Sequence, residues 1–97
     1  MNAQIYNAVV NKNILEFTYD GHFRQVEPHT YGVSKKNNDI LSAYQVSGGS
    51  KDGKVPDWKL FKLDKIIGLR ILENKFTSPR PGYSQNDSRM IKIYCEL

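Results

Sequence analysis

The chain has 97 residues, 39% hydrophobic, 25% charged and 11% aromatic, with a formal net charge of +4; this is the length of one domain with one core, and the composition of a folded rather than a disordered chain. Its one cysteine, Cys95, excludes an internal disulfide and a cysteine-ligated zinc site, and no apolar run approaches the ~18 residues of a membrane-spanning helix. The opening Met1-Asn2-Ala3-Gln4 lacks the basic and apolar regions of a signal peptide, so a cytoplasmic protein with no membrane partner is expected.

Asn2 can cap a short helix on which Ile5, Ala8 and Val9 recur at i, i+3 and i+4, and Asn11 and Asn13 end it. So short a helix must lie on something larger. From Ile14 the period changes to two. Residues 14–19 are rich in strand formers, and Asp20-Gly21 tolerates the positive φ of a tight hairpin turn. Residues 23–27 read as the return strand, which Pro28 ends or places at an edge. Residues 31–34 are a further short extended piece, Lys35-Lys36-Asn37-Asn38 a polar turn, residues 40–46 a strand and residues 48–53 a flexible loop. Residues 58–63 read as a strand on their aromatics and the flanking glycine-rich loop, with Lys59, Phe61, Leu63 and Lys65 on one face and Trp58, Leu60 and Lys62 on the other. A helix grouping Leu60, Leu63 and Ile67 is the alternative. Asp64 can cap a single helical turn, and residues 68–72 read as a last strand. Beyond Thr77 the chain is turn-rich, and residues 90–94 are apolar enough to dock back. The expectation is a mainly β fold with a short N-terminal helix: a small SH3-like or Sm-like β-barrel over residues 1–76, with residues 77–97 an irregular tail docked on it.

The positive charge is concentrated. Residues 1–50 balance to zero and residues 71–97 carry +1, whereas residues 51–70 carry +3 through Lys51, Lys54, Lys59, Lys62, Lys65 and Arg70 against Asp52, Asp57 and Asp64. Such a segment fits an anionic partner, and equally an ordinary solvated face. The signs of catalysis are thin. His22 and His29 are an odd number of residues apart and would point to opposite faces of one continuous strand. Glu16 and Glu27 could face each other across the hairpin, but nothing marks them as an acid/base pair. Ser47-Gly48-Gly49-Ser50 lacks the strand-loop-helix setting and the lysine-serine end of a P-loop, and there is no nucleophile elbow. A non-enzyme without metal or cofactor is expected. The binding candidates are Arg24, Tyr44, Gln45, Trp58, Lys59, Phe61, Lys62 and Lys65, because cations beside aromatics suit phosphate contact and base stacking. The competing reading puts Leu60, Phe61 and Leu63 in the core and leaves Trp58 half-buried.

Four elements carry a family resemblance. Ile5 and Ala8 look like an opening Ile-x-x-Ala, and Arg24-Gln25-Val26-Glu27-Pro28 is similar to Arg-x-Val-x-Pro. Asp39-Ile40-Leu41-Ser42-Ala43-Tyr44 is similar to Trp-Tyr-Leu-x-Ala-Tyr, and the run from Lys59 to Ile66 is similar to Arg-x-Phe-Arg-Leu-Asp-Arg-Ile. In this order they resemble the WYL domain over residues 3–76. Three arginines stand here as Lys59, Lys62 and Lys65, which keeps the charge and loses the planar fork. The naming tryptophan and tyrosine stand as Asp39 and Ile40. The resemblance implies an Sm-like or SH3-like barrel, a ligand-sensing or nucleic-acid-binding role in transcription regulation, and a stand-alone member without the usual helix-turn-helix partner. On that reading Arg24, Lys59, Lys62 and Lys65 supply charge, and Tyr44, Trp58 and Phe61 supply stacking surfaces, for a single-stranded nucleic acid or a nucleotide-like ligand. The alternative is a protein-interaction or self-association module, a homo-oligomer or a partner of another protein, anchored by exposed Trp58 and Tyr83. A shared site requires Arg24, Tyr44 and Lys59 to converge on one groove.

Overall fold

The computed structural model describes all residues, Met1–Leu97. Local chemistry sets its first elements. Helix α1 (Ala3–Asn11) starts where the Ile5 N–H donates to the Asn2 side chain at 3.0 Å, and ends on Lys12 in the left-handed region at φ 56°. Strands β1 (Asn13–Tyr19) and β2 (His22–Ser34) meet at Asp20 and Gly21, whose φ values of 50° and 75° are those of a type I′ hairpin turn. After the polar turn at residues 35–38, where Asn37 takes a positive φ, follow β3 (Asp39–Gly48) and β4 (Asp57–Lys62). A single 3-10 turn (Leu63–Lys65) leads to β5 (Ile67–Lys75), and β6 (Met90–Glu96) closes the chain. The fold is mainly β with one short N-terminal helix. Its antiparallel sheet runs in the order β4-β3-β2-β1-β5, with β6 paired to β2.

Strand β2 organises the sheet, and it differs from the expectation that Pro28 ends it or places it at an edge. On one side β3 pairs along its length, from Arg24 to Val33. On the other side β1 pairs as far as Val26 and β6 takes over from Thr30. Pro28 falls at this hand-over. It also falls at a bulge, since Pro28 faces Ala43 and Thr30 faces Ser42, leaving His29 as the extra residue. A residue without an N–H costs least at such a place. Three further expectations are corrected. The strand through Trp58 stops at Lys62, so Leu63 and Lys65 belong to the 3-10 turn, and Asp64 lies inside that turn without capping it. Glu16 faces Gln25 and Arg70 across the sheet, not Glu27.

The core gathers Leu15, Phe17, Tyr19, Val26, Tyr31, Leu41, Ala43 and Phe61 from the strands, and Ile5, Ala8 and Val9 of α1 pack against them. Phe17, Tyr19 and Phe61 meet edge to face, with Phe61 4.9 Å and 5.0 Å from the other two ring centres. Burying these side chains stabilises by about 1.5–3 kcal/mol each. Asp39 ties three elements together: Tyr31 donates to it at 3.1 Å and Tyr94 at 3.4 Å, while the Asn2 N–H donates to the Tyr31 hydroxyl at 2.7 Å. Burial, foremost, pushes the Tyr31 phenol up to about 12. Strand β6 approaches β2 so closely that a Cβ on Gly32 would overlap the Lys92 carbonyl. No helix is long and apolar enough to cross a membrane.

Candidate functional site

The Asp-Gly hairpin turns the chain so that Arg24, opposite Phe17, points into the sheet's buried side. The Arg24 residue is 4% exposed, yet it forms no ion pair. Its guanidinium donates to the Tyr19 carbonyl at 3.0 Å and to Gln45 Oε1 at 3.3 Å, and it lies over the rings of Tyr19 and Phe61 at 5.3 Å and 5.5 Å. Its Nε–H has no partner, the one buried side-chain polar atom in that state. A buried cation without a carboxylate is costly unless other groups compensate. Gln45, fully buried, is committed to this arrangement: its amide nitrogen donates to the carbonyls of Ser47 and Gly49, leaving the oxygen for Arg24.

Arg24 lies at the floor of a cleft of about 200 Å³ walled by Tyr19, Phe61 and Lys59 and by the loop at Ser50, Lys51 and Asp52. That is below the ~300 Å³ of a drug-sized pocket and suits a small anionic group such as a phosphate. Two cations in and beside the cleft, Lys59 and Lys65, are held by the chain's own acids. Lys59, its side chain only 11% exposed, donates to Asp52 at 2.8 Å, and Lys65 donates to Asp20 at 3.2 Å beside the Tyr19 ring. Asp52 also accepts from the Ser50 hydroxyl at 2.7 Å and from the Lys54 N–H at 2.9 Å. The Lys59 ammonium, then the Ser50 hydroxyl and the Lys54 N–H, hold the Asp52 carboxyl well below the usual carboxylate range. Lys65, foremost, lowers Asp20 in the same way.

The eight residues singled out from the sequence do not form one site. Arg24, Lys59 and Phe61 line the cleft, Gln45 stands behind it and Lys65 lies beside its rim. Phe61 is a core ring, 1% exposed, so it offers no free face for base stacking. Lys62 is exposed and lies outside the cleft, its N–H bonded to the Tyr19 hydroxyl. Tyr44 and Trp58 face each other across β3 and β4, one residue out of step with the Ala43–Lys59 pair, and so lie on the opposite face of that ladder. The convergence of Arg24, Tyr44 and Lys59 on one groove therefore fails. Tyr19, Asp20, Ser50, Lys51 and Asp52 also line the cleft and were not singled out; Lys51 and Asp52 were visible only as part of the basic segment.

The face that holds Tyr44 and Trp58 is covered by residues 79–83. Pro81 and Gly82 occupy the middle of a turn closed by the Tyr83 N–H on the Arg80 carbonyl at 3.1 Å, with Gly82 at φ 92°, the geometry of a type II turn. Arg80 binds Glu27 through two bonds of 2.7 Å and 2.9 Å and lies over the Tyr44 ring at 4.9 Å. Trp58 Nε1–H donates to the Pro81 carbonyl at 2.9 Å. Trp58 and Tyr83 are thus half-buried against their own chain, not free anchors for a partner. His29, fully buried, links the two sides. Its Nδ1 bonds the Glu27 carbonyl at 2.8 Å and its Nε2 accepts from the Arg80 N–H at 3.1 Å, so the ring is neutral with its proton on Nδ1. Burial lowers its pKa, with the bond to the Glu27 carbonyl opposing. No group of three His, Cys, Asp or Glu residues is placed to hold a metal ion.

Comparison of the chain with protein-family models, curated proteins and solved structures finds no match.

Proposed function

We propose that the chain is a non-enzymatic binding module of the cytoplasm, a small SH3-like or Sm-like barrel of the WYL type, which takes the phosphate of a single-stranded nucleic acid or of a nucleotide-like ligand and serves in regulation. The strand order β5-β1-β2-β3-β4, the 3-10 turn linking the two outermost strands, and the helix packed on the core are consistent with that architecture. The observation that carries the function is Arg24: a buried guanidinium with no carboxylate and an unpartnered Nε–H, at the floor of a cleft with Lys59 at its wall. An incoming phosphate supplies the missing charge. The site then binds phosphate through one arginine and nearby lysines, without a stacking platform inside the cleft.

The test is anisotropy of a short fluorescent single strand against salt concentration. Affinity is expected to fall as a power of the salt concentration, with a slope of about −0.7 for each phosphate contact. No binding at low salt overturns the proposal. A second reading, self-association, draws on Phe23 and Ile67, which are 52% and 68% exposed and flank Thr18 in one row across β2, β1 and β5. A dimer insensitive to salt, with no nucleic-acid binding, supports that reading instead.

A further inference from the structure

We propose that the face formed by Glu27, His29, Tyr44 and Trp58 is a receptor for an Arg-Pro-Gly-aromatic turn, that residues 80–83 fill it in cis, and that a partner peptide carrying the same turn competes for it. This face lies on the other side of the β3–β4 ladder from the anion cleft, so the two readings stand or fall separately.

Each feature of the turn meets a matching group on the sheet. The guanidinium meets the Glu27 carboxylate in a bidentate pair and the Tyr44 ring as a cation–π contact. The arginine N–H meets His29 Nε2, whose acceptor role is set by the bond its Nδ1 makes within β2. The proline carbonyl meets Trp58 Nε1–H. The aromatic ring meets His29 at 5.3 Å and lies nearly parallel to Trp58 at 6.4 Å. Glycine fits the third place because it takes a positive φ, and because a Cβ there would come within 3.2 Å of Trp58 Nε1.

The strand pairing that places the sheet side of this arrangement does not involve the turn. Glu27, His29, Tyr44 and Trp58 are fixed on β2, β3 and β4 by strand pairing. The Glu27 side chain is 6% exposed and has no cation partner except Arg80. A carboxylate buried in that way demands a cation, and the bidentate, ring-stacked geometry selects arginine over lysine. Beyond its contacts with this face, the turn segment is held by the Tyr83 hydroxyl and the Gln85 amide, which both donate to the Leu97 carbonyl at 2.8 Å. Between the buried Phe76 and Met90, only Arg80, Tyr83 and Asp87 escape full exposure. The segment is anchored at both ends by those buried residues. Tethering gives it a local concentration on the order of millimolar, which a partner must overcome.

Trp58 is the only tryptophan, so its fluorescence reports the face directly. The probe is a synthetic peptide, Thr-Ser-Pro-Arg-Pro-Gly-Tyr-Ser-Gln, identical to residues 77–85. It is titrated into the full chain carrying Gly82→Ala, which strains the cis turn, or Arg80→Ala, which removes its main contact. Saturable binding is expected, about tenfold or more tighter than to the unaltered chain, and about tenfold or more weaker for a peptide with alanine in place of its arginine. Folded variants that ignore the peptide, or bind the arginine-free peptide equally well, overturn the proposal. So does a concentration-dependent dimer without peptide binding. If both variants fail to fold, the unaltered chain is titrated to millimolar peptide: a saturable, arginine-dependent Trp58 signal supports the receptor, and an unchanged signal overturns it.

Discussion

Arg24 and Gln45 are joined side chain to side chain at 3.3 Å inside the sheet, and the remaining bonds of Gln45, to the Ser47 and Gly49 carbonyls, leave its oxygen no role but to hold that guanidinium. The bond connects β2 to the far end of β3, next to the loop that carries Asp52. Fold and candidate site thus share one side chain.

Arg24→Met keeps most of the stem and removes the cation. The Tyr19 carbonyl and Gln45 Oε1 lose their donor, which costs about 1–3 kcal/mol, read as a lower urea midpoint. Binding of a labelled single strand is expected to weaken by about tenfold or more. A variant that folds and binds as before removes Arg24 from the site.

Asp52→Asn frees Lys59 from the acid that now occupies it. Binding of the same strand is expected to strengthen by about threefold or more, with a faster on-rate at low salt. The urea midpoint should fall slightly at neutral pH, since the bonds that hold the Asp52 carboxyl below its usual range also favour the folded state. Weaker binding would mean that Asp52 aims Lys59 at the ligand and does not compete with it.

His29 makes stability depend on pH in a definite direction. Burial lowers its folded pKa below the ~6.5 of an unfolded chain. As pH falls below 6.5 the unfolded state takes up a proton that the folded state refuses, so the stability present above pH 6.5 declines on acidification toward the folded pKa. The limiting slope is about 1.4 kcal/mol per pH unit. Urea midpoints at pH 7.5 and 5.5 should differ in the native chain and converge in His29→Gln. Equal midpoints in the native chain would contradict the assignment.

Gly32→Ala should loosen β6. The new Cβ meets the Lys92 carbonyl and comes within 2.8 Å of Met90 Sδ, so the strand must shift, at about 1–3 kcal/mol. Hydrogen exchange should speed up at the amides of β6 more than at those of β1, which pairs with the other half of β2.

Features confined to a few neighbouring residues were legible in advance. The Asn2 cap, the Ile5–Ala8–Val9 stripe and the Asp20-Gly21 turn follow from side-chain hydrogen bonding, helical spacing and positive φ, each settled within one turn of chain. The mainly β character was legible in the same way. The faces were not. Counting by twos along β2 and β3 fails because a bulge at His29 and a second shift between Gln25 and Val26 each add a residue to one strand and reverse the alternation.

For this protein the sequence by itself determined where the helix starts, where the first hairpin turns and where positive charge collects. Tertiary structure alone decided that β2 continues through Pro28, that Arg24 is buried without a carboxylate, and that Tyr44 joins Trp58 on the face away from Lys59. It alone brought Arg80 to Glu27 and His29, more than fifty positions earlier in the chain. The reason is physical: caps and turns are local free-energy choices, whereas a buried charge and its partner are chosen only once distant strands have excluded water from both.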